Sequence, residues 1–330
     1  MTALSLKVLR LLADAEFHSG EALARALGIS RGGVWNAVRA LEDAGVDVYR
    51  VRARGYRLAS PMSLLQAGAI AAHAGEAASR LDIEVLDIAD STNTMLARRA
   101  AADARSGTVI VAEWQHSGRG RMGRAWQSEV GGALTFSLLW RFQQGAAALA
   151  GLSLAAGVAI ARALEAIGAC DVRLKWPNDV LWRDAKLAGL LLEMQGDALG
   201  PSAVVIGIGI NVRLSDTARR RIDQPAADLE SACGSAVDRN AVLGRLLSEL
   251  VRTLDVFALE GFVGLRGEWE RYHAYQGHRI AVKLPGGATH EGIARGVGDD
   301  GALLFETGNA VRRLHSGEVS LRAARARSGA

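Results

Sequence analysis

Along the first sixth of the chain, apolar positions recur every three to four residues and then every two. "LSLKVLRLLADAE" carries its apolar residues at helical spacing. Ser19 is placed to cap "GEALARAL", Gly28 to end it, and Ser30 to cap the next run, "RGGVWNAVRALEDAG". That third helix puts Val34, Val38 and Leu41 on one face and ends at Gly45. "VDVYRVRARGYRL" then alternates by twos, with Arg50, Arg52 and Arg54 on one side and a turn at Gly55. The pattern predicts a helix-turn-helix followed by a β-hairpin wing. "ASPMS" reads as a linker, since Pro61 disfavours helix.

A second helical stretch then leads to a strand, "IEVLDIAD". From Val109 to Val212, strand patterns alternate with one long helix. The strands are "TVIVAEWQ", "GALTFSLLW", "VRLKWPNDVLW", "LAGLLLEMQ" and "SAVVIGIGINV", mostly runs of Val, Ile and Leu. Such runs predict a sheet buried by helices on at least one face. Phe142 to Ala161 carries no charge, but it is mostly Ala and Gly with Gln143 and Gln144 near its start. A membrane span wants about 20 strongly apolar residues, so this stretch reads as a helix packed on the sheet. Residues 240–273 return to helix. The last segment has short strands between turns, with "PGG" and "GDDG" as hairpin signals. It predicts a small β-barrel of about 50 residues, and the basic tail after Leu321 is expected to be disordered. The expected domains are residues 1–62, 63–273 and 274–330.

Composition adds little to this picture, and charge adds more. The chain has 330 residues, 49% hydrophobic and 22% charged, which is ordinary for globular domains. Its two cysteines, Cys170 and Cys233, are far apart, so neither a disulfide framework nor a Cys/His metal site is expected. Lys7 and Arg10 interrupt the apolar core that a signal peptide needs, and the expected location is the cytoplasm. The net charge is +4, and residues 1–60 hold nine Lys/Arg against six Asp/Glu, so +3 of it lies there. A basic helix-turn-helix suits DNA, with the third helix in the major groove and the wing on backbone phosphates. Candidate contacts are Gly20, Ser30, Arg31, Gly32, Trp35, Asn36, Arg39, Arg52 and Arg54. The alternative is a basic hairpin that only packs on the next domain.

The chemistry concentrates at "GRGRMGRAW", Gly118 to Trp126. Its first six residues match G-x-G-x-x-G, but a strand pattern comes next, whereas dinucleotide binding needs a helix to open there. It is no P-loop either, lacking G-K-[ST]. What remains is a glycine loop that lets backbone approach a ligand, with arginines that grip carboxylate or phosphate. "DSTN" (Asp90 to Asn93), "KWPND" (Lys175 to Asp179) and "KLAGLLLE" with Lys186 add polar and cationic groups. Taken singly these are a cap, a turn and an exposed lysine, and the loop is a disordered surface segment. Together they outline a site for a carboxylate and a phosphate. No protein nucleophile is signalled: there is no G-x-S-x-G, no Cys–His pairing and no H-E-x-x-H.

In this order and spacing, "DSTN", "AEWQHSGRGRMGRAW", "KWPNDV", "KLAGLLLE" and "GIGINV" resemble the biotin–protein ligase family. The N-terminal module resembles its two-function members, ligase and biotin-operon repressor in one chain. The resemblance covers nearly the whole sequence. One departure is Met122, which fills the loop's variable middle place while Arg119, Arg121 and Arg124 are kept.

The resemblance implies an α+β multidomain fold: a winged helix-turn-helix, a central mixed sheet with helices like that of class II aminoacyl-tRNA synthetases, and a small SH3-like β-barrel. It implies an enzyme that joins biotin to ATP, with Mg2+, as biotinoyl-5′-AMP. The biotinoyl group then passes to one lysine of biotin carboxyl carrier protein, typically that of acetyl-CoA carboxylase. The adenylate would also serve as corepressor, favouring a homodimer on operator DNA. By position, Lys186, Arg121 and Asp179 would be catalytic, Asp179 by assisting proton removal from the incoming lysine or by holding magnesium. Ser91, Thr92, Asn93, Gln115, Arg119, Gly120, Arg121, Lys186 and Gly189 would hold biotin. Arg121, Arg124, Trp126, Asn178, Lys186 and Asn211 would lie on the nucleotide. Two rivals stand beside this: a lipoate or octanoate ligase, and a ligand-sensing repressor without ligase activity.

Overall fold

The structure is a computed structural model that describes residues 1–197, 199–283, 288–308, 310–315 and 320–323. It opens with α1 (Ala3–Leu12), α2 (Gly20–Leu27) and α3 (Arg31–Asp43). Ser19 accepts a hydrogen bond from Ala22 N and Ser30 one from Gly33 N, as N-caps do. Gly28, at φ 64°, turns the chain between α2 and α3. The expected face of Val34, Val38 and Leu41 is buried against Leu6, Leu9, Leu12 and Leu23. β1 (Val48–Val51) and β2 (Gly55–Leu58) make the wing. The wing strands are shorter than the alternation predicts. Arg52 and Arg54 lie in the turn and not beside Arg50 on a strand, because Ala53 and Gly55 take positive φ values of 65° and 104° to close it.

The linker is tied down from below. Leu65 N donates to Glu113 Oε1 at 2.5 Å, and Arg239 Nη2 donates both to Ser63 O and to Glu113 Oε2 at 2.8 Å. Glu113 and Arg239 are each 2% exposed, so this is a buried pair whose remaining groups are satisfied by backbone. Beyond the linker come α4 (Ala67–Ala74) and a seven-stranded sheet. Its strands are β3 (Asp82–Ala89), β4 (Thr108–Gln115), β5 (Ala133–Phe142), β6 (Val172–Lys175), β7 (Asp179–Trp182), β8 (Ala185–Gly196) and β9 (Ser202–Asn211). They lie in the order β3-β4-β5-β9-β8-β7-β6, with β3 and β4 parallel and the other neighbours antiparallel. "VRLKWPNDVLW", expected as one strand, is two. Pro177 cannot donate to a ladder, and Trp176 to Asn178 form the turn between β6 and β7.

α5 (Thr92–Ala101), which the apolar pattern did not predict, covers one face of the sheet through Leu96 and Ala100. α6 (Leu152–Glu165) covers the other, with α9 (Arg239–Glu260) and α10 (Val263–Tyr272) packed outside it. Ala146–Glu165 is apolar and long enough to cross a membrane, but 67% of that window is buried inside the protein, as for a core helix. The short helices α7 (Asp216–Arg221) and α8 (Leu229–Cys233) follow β9.

The C-terminal region is an antiparallel sheet of β10 (Arg279–Lys283), β11 (Thr289–Val297), β12 (Leu303–Thr307), β13 (Ala310–Leu314) and β14 (Ser320–Ala323), in the order β13-β12-β11-β10-β14. "GDDG" is the expected turn, with Gly301 N donating to Gly298 O. "PGG", at 285–287, and the tail beyond 323 lie outside the described residues.

Candidate functional site

β9 shows why the sequence folds into a site here. Its run "GIGIN" alternates by twos. Ile206, Ile208 and Ile210 face the main core, and Gly207, Gly209 and Asn211 face the opposite side of the sheet. A Cβ on Gly207 would come within 2.6 Å of Asn93 Cγ, and one on Gly209 within 2.6 Å of Trp126 Cζ2. The two glycines therefore leave the space that these side chains fill.

The loop from Gly118 to Trp126 folds back on itself over this face. Trp126 N donates to Gly118 O at 2.8 Å and Gly120 N to Arg124 O at 2.7 Å. The tip is a short turn at Arg121–Gly123, where Met122 adopts φ 56°, an unfavoured conformation for a residue with a side chain. The opening helix of a dinucleotide fold is absent from residues 124–132, as the strand pattern after the loop required. Arg119 Nη2 donates to both oxygens of Glu193, and Arg121 Nη1 donates to Asn178 Oδ1 at 3.1 Å. Burial pulls the Arg121 guanidinium below its ordinary pKa, against the attraction of the Asp179 carboxylate. Arginine nonetheless stays charged in proteins.

Two cavities meet under the loop. The inner one, about 50 Å3, is bordered by every residue expected to hold biotin: Ser91, Thr92, Asn93, Gln115, Arg119, Gly120, Arg121, Lys186 and Gly189. The outer cleft, about 650 Å3, is bordered by Arg121, Arg124, Trp126, Asn178, Asp179, Lys186 and Asn211. Gly120, Arg121, Trp126, Asn178 and Lys186 border both. Lys186 Nζ lies 2.6 Å from Asp179 Oδ1, and Lys175 Nζ lies 3.7 Å from Oδ2. Gly189 leaves room for the Lys186 chain, since its Cβ would meet Nζ at 3.1 Å.

Not every expected contact is equally open to a ligand. Asn93 donates to Leu191 O and Glu193, and accepts from Ser137 Oγ. Asn211 Nδ2 donates to Lys186 O and Ala227 O, tying the mouth of β8 to the segment after α7. Gln115 Oε1 accepts from Thr92 N at 2.7 Å. Ser91 caps α5, accepting from Thr94 N. Thr135, Ser137, Glu193, Gly207 and Gly209 were missed by the sequence reading. Glu193, Gly207 and Gly209 lie in "KLAGLLLE" and "GIGINV", runs whose pattern reads as strand.

The inner cavity is far smaller than a usual ligand pocket of roughly 300–1,000 Å3. Trp126 borders it, lying on Gly209, with its buried Nε1 lacking a partner among the described residues. A ligand that moves this ring gains both space and a donor. The outer cleft has Asp179, Asp184 and Asp223 on its border, single carboxylates suited to an ion that keeps most of its waters. Among the described residues there is no cluster of three His, Cys, Asp or Glu that would cage a metal.

On the N-terminal module, Arg31, Gly32, Trp35, Asn36 and Arg39 lie on the exposed face of α3. Trp35 is 42% exposed, with the guanidiniums of Arg39 and Arg50 at 5.6 and 5.9 Å from its ring. Arg52 is exposed at the wing tip, whereas Arg54 lies 4.0 Å over the Phe17 ring. Ser30 is spent as the helix cap, and Gly20 starts α2 against Tyr56.

Comparison with known proteins gives three family matches. "Biotin/lipoate A/B protein ligase family" matches residues 85–211, "HTH domain" residues 5–57, and "Biotin protein ligase C terminal domain" residues 276–322. The bifunctional ligase/repressor BirA of Escherichia coli (strain K12) is 39% identical over 97% of this chain and 97% of its own. Its namesake from Bacillus subtilis (strain 168) is 32% identical over 94% and 95%. Among solved structures, the biotin protein ligase from Aquifex aeolicus in complex with biotin and ATP superposes with a TM-score of 0.63 at 31% identity, covering 74% of this chain and 99% of that one.

Proposed function

The chain belongs to the biotin protein ligase family, and from that premise we propose that it activates biotin with ATP and passes the biotinoyl group to a lysine of biotin carboxyl carrier protein. The observation that carries this reading is the pair of cations, Lys186 and Arg121, shared by an inner pocket and an outer cleft. Biotin's carboxylate attacks the α-phosphate of ATP, and pyrophosphate leaves. Both partners are anions, so positive charge fixed where they meet lowers the barrier. Asp179, Asp184 and Asp223 on the border of the outer cleft would help hold magnesium, which would neutralise phosphate charge.

Ser91, Thr92, Asn93 and Gln115 shape the ring end of the pocket, with Gly120 and Gly189 leaving room beside them. Arg119 lies over the carboxylate end. Arg124, Trp126, Asn178 and Asn211 border the nucleotide, Trp126 as a flat apolar wall. The loop over the site excludes water and preserves the mixed anhydride. The carrier's lysine amine then attacks the acyl carbon, AMP leaves, and the amine loses a proton. Asp179, ion-paired with Lys186 and Lys175, would assist that proton or help hold magnesium.

The basic face of α3 supports a second role, repression of biotin genes. The adenylate acts as corepressor, and an adenylate-bound homodimer presents two modules to a two-fold operator. Carrier protein and operator are met in the cytoplasm, which is the location that goes with this reading. The test is biotin-dependent ATP–pyrophosphate exchange, with lipoate and octanoate as competing acids. Exchange with biotin supports the reading; exchange with lipoate or octanoate alone, or with no acid, overturns it.

A further inference from the structure

A continuous chain of hydrogen bonds joins the loop to the floor of the inner cavity. Arg119 Nη2 donates to Glu193 Oε1 at 2.8 Å and to Oε2 at 3.0 Å. Glu193 Oε2 also accepts from Asn93 Nδ2 at 3.0 Å. Ser137 Oγ donates to Asn93 Oδ1 at 2.6 Å and lies 2.8 Å from Thr92 Oγ1. One carboxylate on β8 therefore grips a loop arginine and a floor residue at once. Both loop bonds use Nη2, so Nε and Nη1 are not spent on Glu193.

The setting makes this pair unusual for a surface contact. Glu193 ends the run Leu190, Leu191, Leu192, where an acid gains nothing from strand packing. Asn93, its second partner, is buried and backed by the Gly207 backbone, so the carboxylate is held at a fixed place. A glycine-rich loop has many conformations and loses much entropy on ordering. A charge-assisted bond to a fixed acceptor limits those conformations before any ligand arrives.

We propose that Glu193 is a positioning residue that holds the loop over the bound adenylate by fixing Arg119. This rests on the adenylate-forming reading above. Glu193 touches no reacting atom in this scheme. It acts on how long the intermediate stays, and not on the step that makes it.

The experiment uses the full-length protein loaded with biotin, ATP and magnesium, then stripped of free ligand, and it follows biotinoyl-5′-AMP release. Glu193→Gln keeps an acceptor for Asn93 but loses the charge. It is expected to release the intermediate up to about fivefold faster, since a partly exposed ion pair contributes up to about 1 kcal/mol. Exchange at saturating biotin should change by less than about threefold, since no group at the reacting atoms is altered. Glu193→Asp keeps the charge and should release at an intermediate rate, which also serves if the glutamine variant fails to fold. In an Arg119→Gln background, Glu193→Gln should add nothing, because the pair is already broken. Unchanged release in both Glu193 variants, or a full effect without Arg119, overturns the proposal. Absence of biotin-dependent exchange in the natural protein overturns instead the reading beneath it.

Discussion

Lys186 and Arg121 border both cavities, and their removal separates making the intermediate from keeping it. Lys186→Gln should lower biotin-dependent exchange by about 10²–10³-fold, the usual cost of one preorganised charge-stabilising group. Folding should persist, because Asp179 keeps Lys175 nearby. Arg121→Gly should release biotinoyl-5′-AMP early and label unrelated lysines, visible on streptavidin blots of total protein; unchanged selectivity contradicts that role. A third residue bears on stability. His273 is 5% exposed, lies 4.6 Å from the Trp269 ring, and has no partner for Nε2 among the described residues. Burial pulls its pKa below the ordinary 6.5, against opposing pulls from Gln276 and Glu270. The folded protein therefore binds fewer protons here than the unfolded chain does. Its contribution is complete above pH 6.5 and is lost as pH falls below that value. His273→Gln should flatten the fall in Tm between neutral and mildly acidic buffer; an unchanged slope contradicts the assignment.

At the scale of elements, β9 and the loop are matched parts. Gly209→Ala forces a methyl against the Trp126 ring, an overpacking that costs about 1–3 kcal/mol. Both residues border the inner cavity, so biotin KM should rise, with a smaller change in the KM for the carrier protein. Equal changes in both would place the effect in the fold instead of the pocket. The alternating glycines of "GIGIN" were legible as a strand, and "DSTN", expected to hold a ligand, puts Ser91, Thr92 and Asn93 on the border of the inner cavity. α5 was not legible, because its apolar positions are few and its start coincides with that polar cluster. Ser137 and Glu193 were hidden for another reason. Each sits in a strand whose pattern reads as core, and only the pairing of β5, β9 and β8 brings them to Asn93. The wing was read with the right charges but the wrong register, since the positive φ at Ala53 cannot be inferred from alternation.

At the scale of the whole molecule, the N-terminal module leans on the edge of the sheet that carries the site. Ile88, Trp114 and Val130 join its core, and Arg10 pairs with Asp87 at 2.5 Å. Trp114 precedes Gln115 on β4, so successive side chains face the module and the pocket. Glu129 lies beside Gly45 at the end of the third helix, and it accepts from Ser215 at the start of α7. On the proposed reading, these contacts are where ligand at the cleft would bias the N-terminal module. In gel shifts with the promoter of the organism's biotin genes, biotin plus ATP should tighten binding by about 5- to 150-fold, the usual range of a coupling free energy. Retention that ignores the ligands contradicts the switch. The most direct test of the central claim is one incubation with ATP, magnesium, biotin and a carrier domain, read by mass spectrometry. One biotinoyl group is expected on one carrier lysine, lost when biotin or ATP is omitted. A carrier left unmodified, or modified with lipoate in place of biotin, would contradict it.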